Sequence, residues 1–160
     1  MTIAVGESIP SVTMTAATVD GPTETTTDEI FHGKTVVLFG VPGAFTPTCT
    51  VKHFPPFVEN AAAFAEKGVD TIACMAVNDA FVMQAWGKEQ GAGDAVLMLA
   101  DGSGELTRTM GLEFDLTSRG MGVRSQRFVL VAKDGKVTYI AVERPGEFDV
   151  SRAESVLATL

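Results

Sequence analysis

Cysteine is scarce in this chain: there are two in 160 residues, Cys49 and Cys74. Two thiols cannot build a disulfide framework. Neither has His or Cys neighbours at the short spacings a zinc site requires, so no metal and no cofactor is expected. Basic residues are also few, 12 Lys and Arg against 20 Asp and Glu, for a formal net charge of −8. That balance argues against nucleic acid or an anionic membrane as a partner, because both reward Lys and Arg. No stretch approaches the roughly 18 apolar residues of a membrane span, and Met1–Pro10 carries Glu7 without the apolar run of a secretory leader. The expected compartment is the cytoplasm, where free thiols persist. Tracts of like charge, internal repeats and low-complexity segments are absent as well, which excludes a disordered or solenoid chain.

What is present is an ordinary globular composition, 46% apolar and 20% charged. A chain of this length suits one domain, residues 1–160, which buries roughly 70% of its unfolded surface. Thr35–Val41 (TVVLFGV) and Val69–Val77 (VDTIACMAV) are short, β-rich apolar runs that read as buried strands. Between them Val51, Phe54, Phe57, Val58, Ala61, Phe64 and Ala65 recur at three- and four-residue spacing, which predicts a helix over Val51–Lys67. Pro55 and Pro56 should kink or restart it. A second helix is predicted from Asp79, as N-cap, to Gln90, followed by a strand over Ala95–Leu99 and a short helix over Glu105–Met110. Phe128–Ala132 and Val137–Val142 flank Asp134-Gly135, a strong hairpin signal, and a last helix is expected from about Ser151. A β-α-β unit, then an antiparallel hairpin, then a helix is the order of a thioredoxin-like α/β fold, a mixed central sheet flanked by helices.

One segment carries chemistry: Pro42-Gly43-Ala44-Phe45-Thr46-Pro47-Thr48-Cys49, at the junction of the first long strand and the first helix. Pro47 lacks a donor that would be unpaired at a helix start, and Thr48 is a suitable cap, so Cys49 falls in the first helical turn. Free N–H groups and the positive end of the helix dipole then favour its thiolate. The alternative is a small buried hydrophobe, the commonest state of an intracellular cysteine.

The run resembles the signature of the peroxiredoxin family, Pro-x-x-x-Thr-x-x-Cys, here Pro42, Thr46 and Cys49, and is most similar to the type II subgroup. The likeness extends through Val41–Phe57, Val77–Trp86, Ala100–Gly104 and Gly122–Phe128, nearly the whole chain. It implies a thiol peroxidase acting on hydrogen peroxide and alkyl hydroperoxides. Cys49 would be the peroxidatic nucleophile, Thr46 the hydroxyl partner of sulfur and peroxide, Pro42 a shield and Arg127 the cationic partner. Thr46 stands where a Cys-x-x-Cys oxidoreductase has its first cysteine, and a hydroxyl there cannot form a disulfide. At neutral pH an ordinary thiol is already a few per cent ionised, so complete ionisation gains only about thirtyfold. Activation must come largely from donors that meet the departing peroxide oxygen.

Weaker signals surround the motif. His53 lies four residues after Cys49 and reads either as a site-bordering residue that positions the loop or as a structural histidine. Arg124 resembles a second arginine of the family, though a solvated strand-end residue would look the same. Phe45, Phe81, Trp86 and Phe114 could line a peroxide mouth or a dimer surface, with at least half expected in the core. Cys74 sits inside an apolar strand, where burial makes a thiol inert. Some type II relatives carry a resolving cysteine after the last strand, but Ser151 occupies about that place here, and a Cys49–Cys74 disulfide ranks second. The favoured reductant of a Cys49 sulfenic acid is therefore external: glutathione with glutaredoxin, or else thioredoxin. The resemblance also implies a homodimer. The remaining alternatives are a non-enzymatic peroxide sensor and a thiol-disulfide oxidoreductase. The missing Cys-x-x-Cys counts against the second.

Overall fold

The computed structural model describes residues 1–160 and begins with a hairpin that apolar periodicity does not announce. Strand β1 (Thr13–Thr18) alternates buried and less buried residues, whereas β2 (Gly21–Thr26, GPTETT) has no apolar face at all. The legible signal is Asp20-Gly21 at the turn, where Gly21 takes φ +112°. Helix α1 (Thr27–Phe31) follows, capped by the Thr26 hydroxyl, which accepts from the Glu29 N–H.

The β-α-β region is built as its composition demands. Strands β3 (Thr35–Gly40) and β4 (Thr71–Ala76) pair in parallel and are buried almost throughout. Between them the expected continuous helix is in three pieces: a wide π-turn over Cys49–His53, α2 (Pro55–Glu59) and α3 (Ala61–Glu66). The break falls at Pro55 and Pro56, which cannot donate to the carbonyls four residues back. With the helical phase reset there, Phe54, Phe57 and Phe64 are buried, but Val51 and Ala65 face solvent. Helix α4 (Ala80–Gln90) starts at Asp79, whose carboxylate accepts from the Val82 N–H at 2.9 Å. Strand β5 (Leu97–Ala100) begins two residues later than the apolar run suggests, because Ala92–Val96 closes the helix with backbone turns. Helix α5 (Glu105–Thr109) leads to a small separate hairpin, β6 (Glu113–Leu116) with β7 (Gly122–Ser125). Strands β8 (Phe128–Lys133) and β9 (Lys136–Val142) turn at Asp134-Gly135, both with positive φ, and α6 (Ala153–Leu157) ends the chain.

Seven strands form one mixed sheet in the order β2-β1-β5-β4-β3-β8-β9, the thioredoxin-like arrangement. Alternate residues of β3 feed opposite faces. Val37 and Phe39 join a core with α2, α3, α4 and α6, while Val36 and Leu38 join one with α1 and α5. Cys49, His53 and Cys74 all lie on the first face. The sheet places the site by one register: Gly40 of β3 pairs with Phe128 of β8, next to Arg127.

The Phe128 ring occupies the space a Cβ at Gly40 would need. Gly40→Ala should therefore destabilise the chain by about 1–3 kcal/mol, as overpacking does. The urea midpoint would fall accordingly. An unchanged midpoint would show that the ring moves aside freely.

Candidate active site

The chain leaves β3 through Val41 and Pro42 into a loop held in a strained form. Phe45 has φ +64°, a left-handed conformation that costs a residue with a Cβ roughly 1–2 kcal/mol. Two outside side chains hold it. Asn78, after β4, accepts the Ala44 N–H at 2.9 Å, and Arg124 donates to the Pro42 carbonyl at 3.2 Å and the Met121 carbonyl at 2.9 Å. A Cβ at Gly43 would come within 2.8 Å of the Arg124 guanidinium, so a larger residue there would have to push that guanidinium aside.

Helical structure then starts at Pro47, two residues before Cys49, so Cys49 lies in the first turn. Thr48 is already helical (φ −65°, ψ −40°) and its hydroxyl caps nothing, contrary to its reading as the N-cap. Thr46 stands at the boundary instead, and its carbonyl accepts the Thr50 N–H at 3.0 Å. The Phe54 N–H reaches back five residues to the Cys49 carbonyl at 3.1 Å, which opens the turn. From α4, Trp86 braces this turn by donating to the Thr50 hydroxyl at 3.1 Å.

The sulfur of Cys49 is fully buried and meets two polar groups. Thr46 Oγ1 lies 2.8 Å away and Arg127 Nη2 donates from 3.1 Å. Thr46 Oγ1 is also 2.7 Å from the Gly43 carbonyl. A hydroxyl has one proton, so Thr46 can donate to the Gly43 carbonyl or to the sulfur, one at a time. Arg127 Nη1 lies 3.0 Å from His53 Nδ1, and His53 Nε2 lies 3.0 Å from the Ser151 carbonyl. A guanidinium only donates and a carbonyl only accepts, which leaves one tautomer: His53 protonated on Nε2, with the Nδ1 lone pair taking the Arg127 N–H. Burial, then the Arg127 charge, lower the His53 pKa from 6.5 to about 3, against the Ser151 hydrogen bond and the Glu143 charge. The imidazole is neutral.

Of the residues singled out from sequence, Cys49, Thr46, Arg127 and His53 form one cluster. Pro42 and Arg124 sit beside it, Arg124 bonded to the loop backbone and not to the sulfur. Of the four aromatic side chains only Trp86 is fully buried. Phe45 and Phe81 are exposed and Phe114 is half-buried, fewer core residues than expected, because the loop and the start of α4 turn outward. Cys74 is a free, fully buried thiol on β4, with a pKa raised by burial and by Cys49 against the Arg127 charge. Asn78, Phe148 and Glu143 escape sequence reasoning. Asn78 at least follows a strand end directly, whereas nothing local marks the others. No three His, Cys, Asp or Glu side chains are grouped to hold a metal ion.

The buried neutral His53 generates a stability prediction. Its folded pKa lies below the unfolded value, so the native state binds fewer protons between about pH 6.5 and 3. The stability is complete above pH 6.5 and is lost as pH falls through that window, at up to about 1.4 kcal/mol per pH unit. His53→Gln should remove this loss. Urea denaturation from pH 7 to 4 checks it: a wild-type-minus-variant difference independent of pH would contradict a neutral His53.

Known proteins match this arrangement over almost its full length. The Redoxin family model matches residues 4–157. Peroxiredoxin-2B of Arabidopsis thaliana is 50% identical over 159 residues, covering 99% of this chain and 98% of the relative. The chloroplastic Peroxiredoxin-2E-2 of Oryza sativa subsp. japonica is 51% identical, over 99% of this chain and 73% of the relative. Reduced Prx3 of Vibrio vulnificus, solved in complex with hydrogen peroxide, is 47% identical with a TM-score of 0.93, and 98% of each chain is covered. With the Pro42–Cys49 run at the strand-to-helix junction and Arg127 on its sulfur, the chain belongs to the peroxiredoxin family, in its type II subgroup.

Proposed function

We propose that this thiol peroxidase reduces hydrogen peroxide and alkyl hydroperoxides at Cys49, with a thiol from outside the chain as reductant. The observation that carries the reading is the pair of contacts on one buried sulfur, Thr46 Oγ1 at 2.8 Å and Arg127 Nη2 at 3.1 Å. The thiolate of Cys49 attacks one peroxide oxygen. The S–O bond forms as the O–O bond breaks, and the departing oxygen leaves as alkoxide or hydroxide and takes a proton from solvent. Cys49 is left as a sulfenic acid. Charge moves from sulfur to the leaving oxygen, and the planar fork of Arg127 can follow it without moving. Pro42 shields the sulfur from water, and Arg124 keeps the loop in place.

Recycling is assigned to glutathione: one thiol displaces water from the sulfenic acid, and glutaredoxin or a second glutathione then releases Cys49. Support comes from Cys74, whose burial and raised pKa make it a poor attacking thiol. Two free thiols suit a reducing compartment such as the cytoplasm. Residues 1–160 act as one domain, and the unit is a homodimer. Exposed Phe45, Phe81 and Val123, on the three segments that meet at Pro42–Ala44, supply its apolar contact.

Stopped-flow peroxide consumption tests the site. Cys49→Ser should have no activity, and Thr46→Val and Arg127→Ala should lose about 10²–10³-fold, the scale of a removed transition-state donor. Thr46→Ser should keep most of the rate, whereas Arg127→Lys should not restore it. Peroxidase activity surviving in Cys49→Ser would refute the mechanism. For the reductant, Cys74→Ser should keep most of its glutathione- and glutaredoxin-supported turnover. Mass spectrometry of peroxide-treated wild type should find glutathione on Cys49, and a Cys49–Cys74 disulfide there instead would reverse the assignment.

A further inference from the structure

Glu143, just beyond β9, is 5% exposed and has no cationic group within 4 Å, since the one ion pair in the chain joins His32 and Asp134. A buried, unpaired carboxylate is costly unless hydrogen bonds replace its water. Three do, all on Oε2: the Asp149 N–H at 2.7 Å, the Ser151 N–H at 2.8 Å and the Ser151 hydroxyl at 2.6 Å. Burial pushes the Glu143 pKa up, but the bonds from Ser151, Asp149 and Val150 outweigh it, and the carboxyl titrates below its ordinary range. The charge is therefore a fixed anchor for the Asp149–Ser151 turn.

That turn reaches the reacting sulfur by two routes. The Ser151 carbonyl accepts the His53 Nε2–H, and Nδ1 of the same imidazole accepts from Arg127 Nη1. Beside it the Phe148 ring packs on His53 with centroids 5.3 Å apart and lies 5.9 Å from the Arg127 guanidinium, while Arg152 covers it at 4.9 Å. The ring of contacts closes on itself, because the Glu143 N–H donates to the Arg127 carbonyl at 2.9 Å. Arg127 is thus gripped at its backbone by Glu143 and at its guanidinium by groups that Glu143 anchors.

We propose that Glu143 is a positioning residue for peroxide reduction, and that the Phe148–Ser151 turn it clamps aims the Arg127 guanidinium at the Cys49 sulfur through His53. The proposal rests on the reading of Arg127 as the donor to that sulfur. Glu143 touches neither the sulfur nor the substrate, so its whole effect must pass through Arg127. A guanidinium displaced by about 1 Å loses up to about a hundredfold in rate.

The test is a double-mutant cycle on the second-order rate with hydrogen peroxide. Glu143→Ala should be slowed at least tenfold, and Glu143→Gln, which keeps an acceptor oxygen in place, should be slowed less. In the Arg127→Ala background Glu143→Ala should change the rate by less than twofold. Alkylation of Cys49 by iodoacetamide should change by less than threefold in Glu143→Ala, since that reaction breaks no O–O bond. General loosening would instead expose the buried sulfur and speed alkylation. Equal losses in both backgrounds, or a lowered melting temperature with an unchanged peroxide rate, would overturn the proposal. Should Glu143→Ala fail to fold, Glu143→Gln decides: a wild-type rate with all three bonds weakened by loss of the charge would overturn it too. If Arg127→Ala alone keeps the wild-type rate, the reading of Arg127 fails first and the proposal with it, which separates the two failures.

Discussion

The Arg127 guanidinium cannot release its proton, and the chemistry around Cys49 follows from that. One amino group points at the sulfur and the other at an imidazole that must accept. His53 can accept only when neutral, and it is neutral because it is buried beside the charge it serves. The tautomer forced on it directs its remaining N–H at the Ser151 carbonyl. A permanent charge thus orders a neutral ring, a backbone carbonyl and a carboxylate behind it, each with its role decided by whether it can donate or accept. No buried side-chain polar atom of the chain is left without a partner. In so dry a setting an unmade bond would cost more than a made one contributes.

The sheet makes this network possible by bringing distant segments to one end of its interior strands. Cys49 and His53 come from the connection after β3, Asn78 from the end of β4, Arg124 and Arg127 from either side of the β7–β8 junction, and Ser151 from just before α6. Parallel β3 and β4 end at the same side, while antiparallel β8 begins there, so their loops converge. The glycine at position 40 lets Phe128 close over β3, and the residue before that phenylalanine is Arg127, whose guanidinium donates to the Cys49 sulfur. Packing and chemistry share one register, so a slip by a single residue would turn both away.

The π-turn at Cys49 adds a different property. Two prolines deny the preceding carbonyls their helical partners, and the turn is held by wide backbone bonds such as Phe54 to Cys49, the Thr50 to Thr46 backbone bond, the Trp86–Thr50 contact and the polar contacts of the sulfur. Elements with few ladder bonds open at low cost compared with a central strand. The Cys49 sulfur is buried, and a turn of this kind can move while β3 stays in place.

How much of this was legible in the sequence depends on the range of the interaction. The strands Thr35–Gly40 and Thr71–Ala76, the Asp79 cap, the Asp134-Gly135 hairpin and the helix break at Pro55-Pro56 are local patterns, written in neighbouring residues. The Pro42–Cys49 run is local too, so Cys49 and the Thr46 hydroxyl that contacts its sulfur could be named from it. Strand β2 was invisible because an exposed edge strand needs no apolar face, and Thr48 was misread because a cap depends on dihedral angles that side-chain type does not settle. The resemblance names Arg127, and His53 stands near the motif, but nothing local joins them to each other or to Ser151 and Glu143, residues up to 98 positions apart. Residue type determined what each group can donate or accept. Only the tertiary structure decided which groups meet, because a hydrogen bond needs its partners within about 3 Å and sequence spacing carries no such distance.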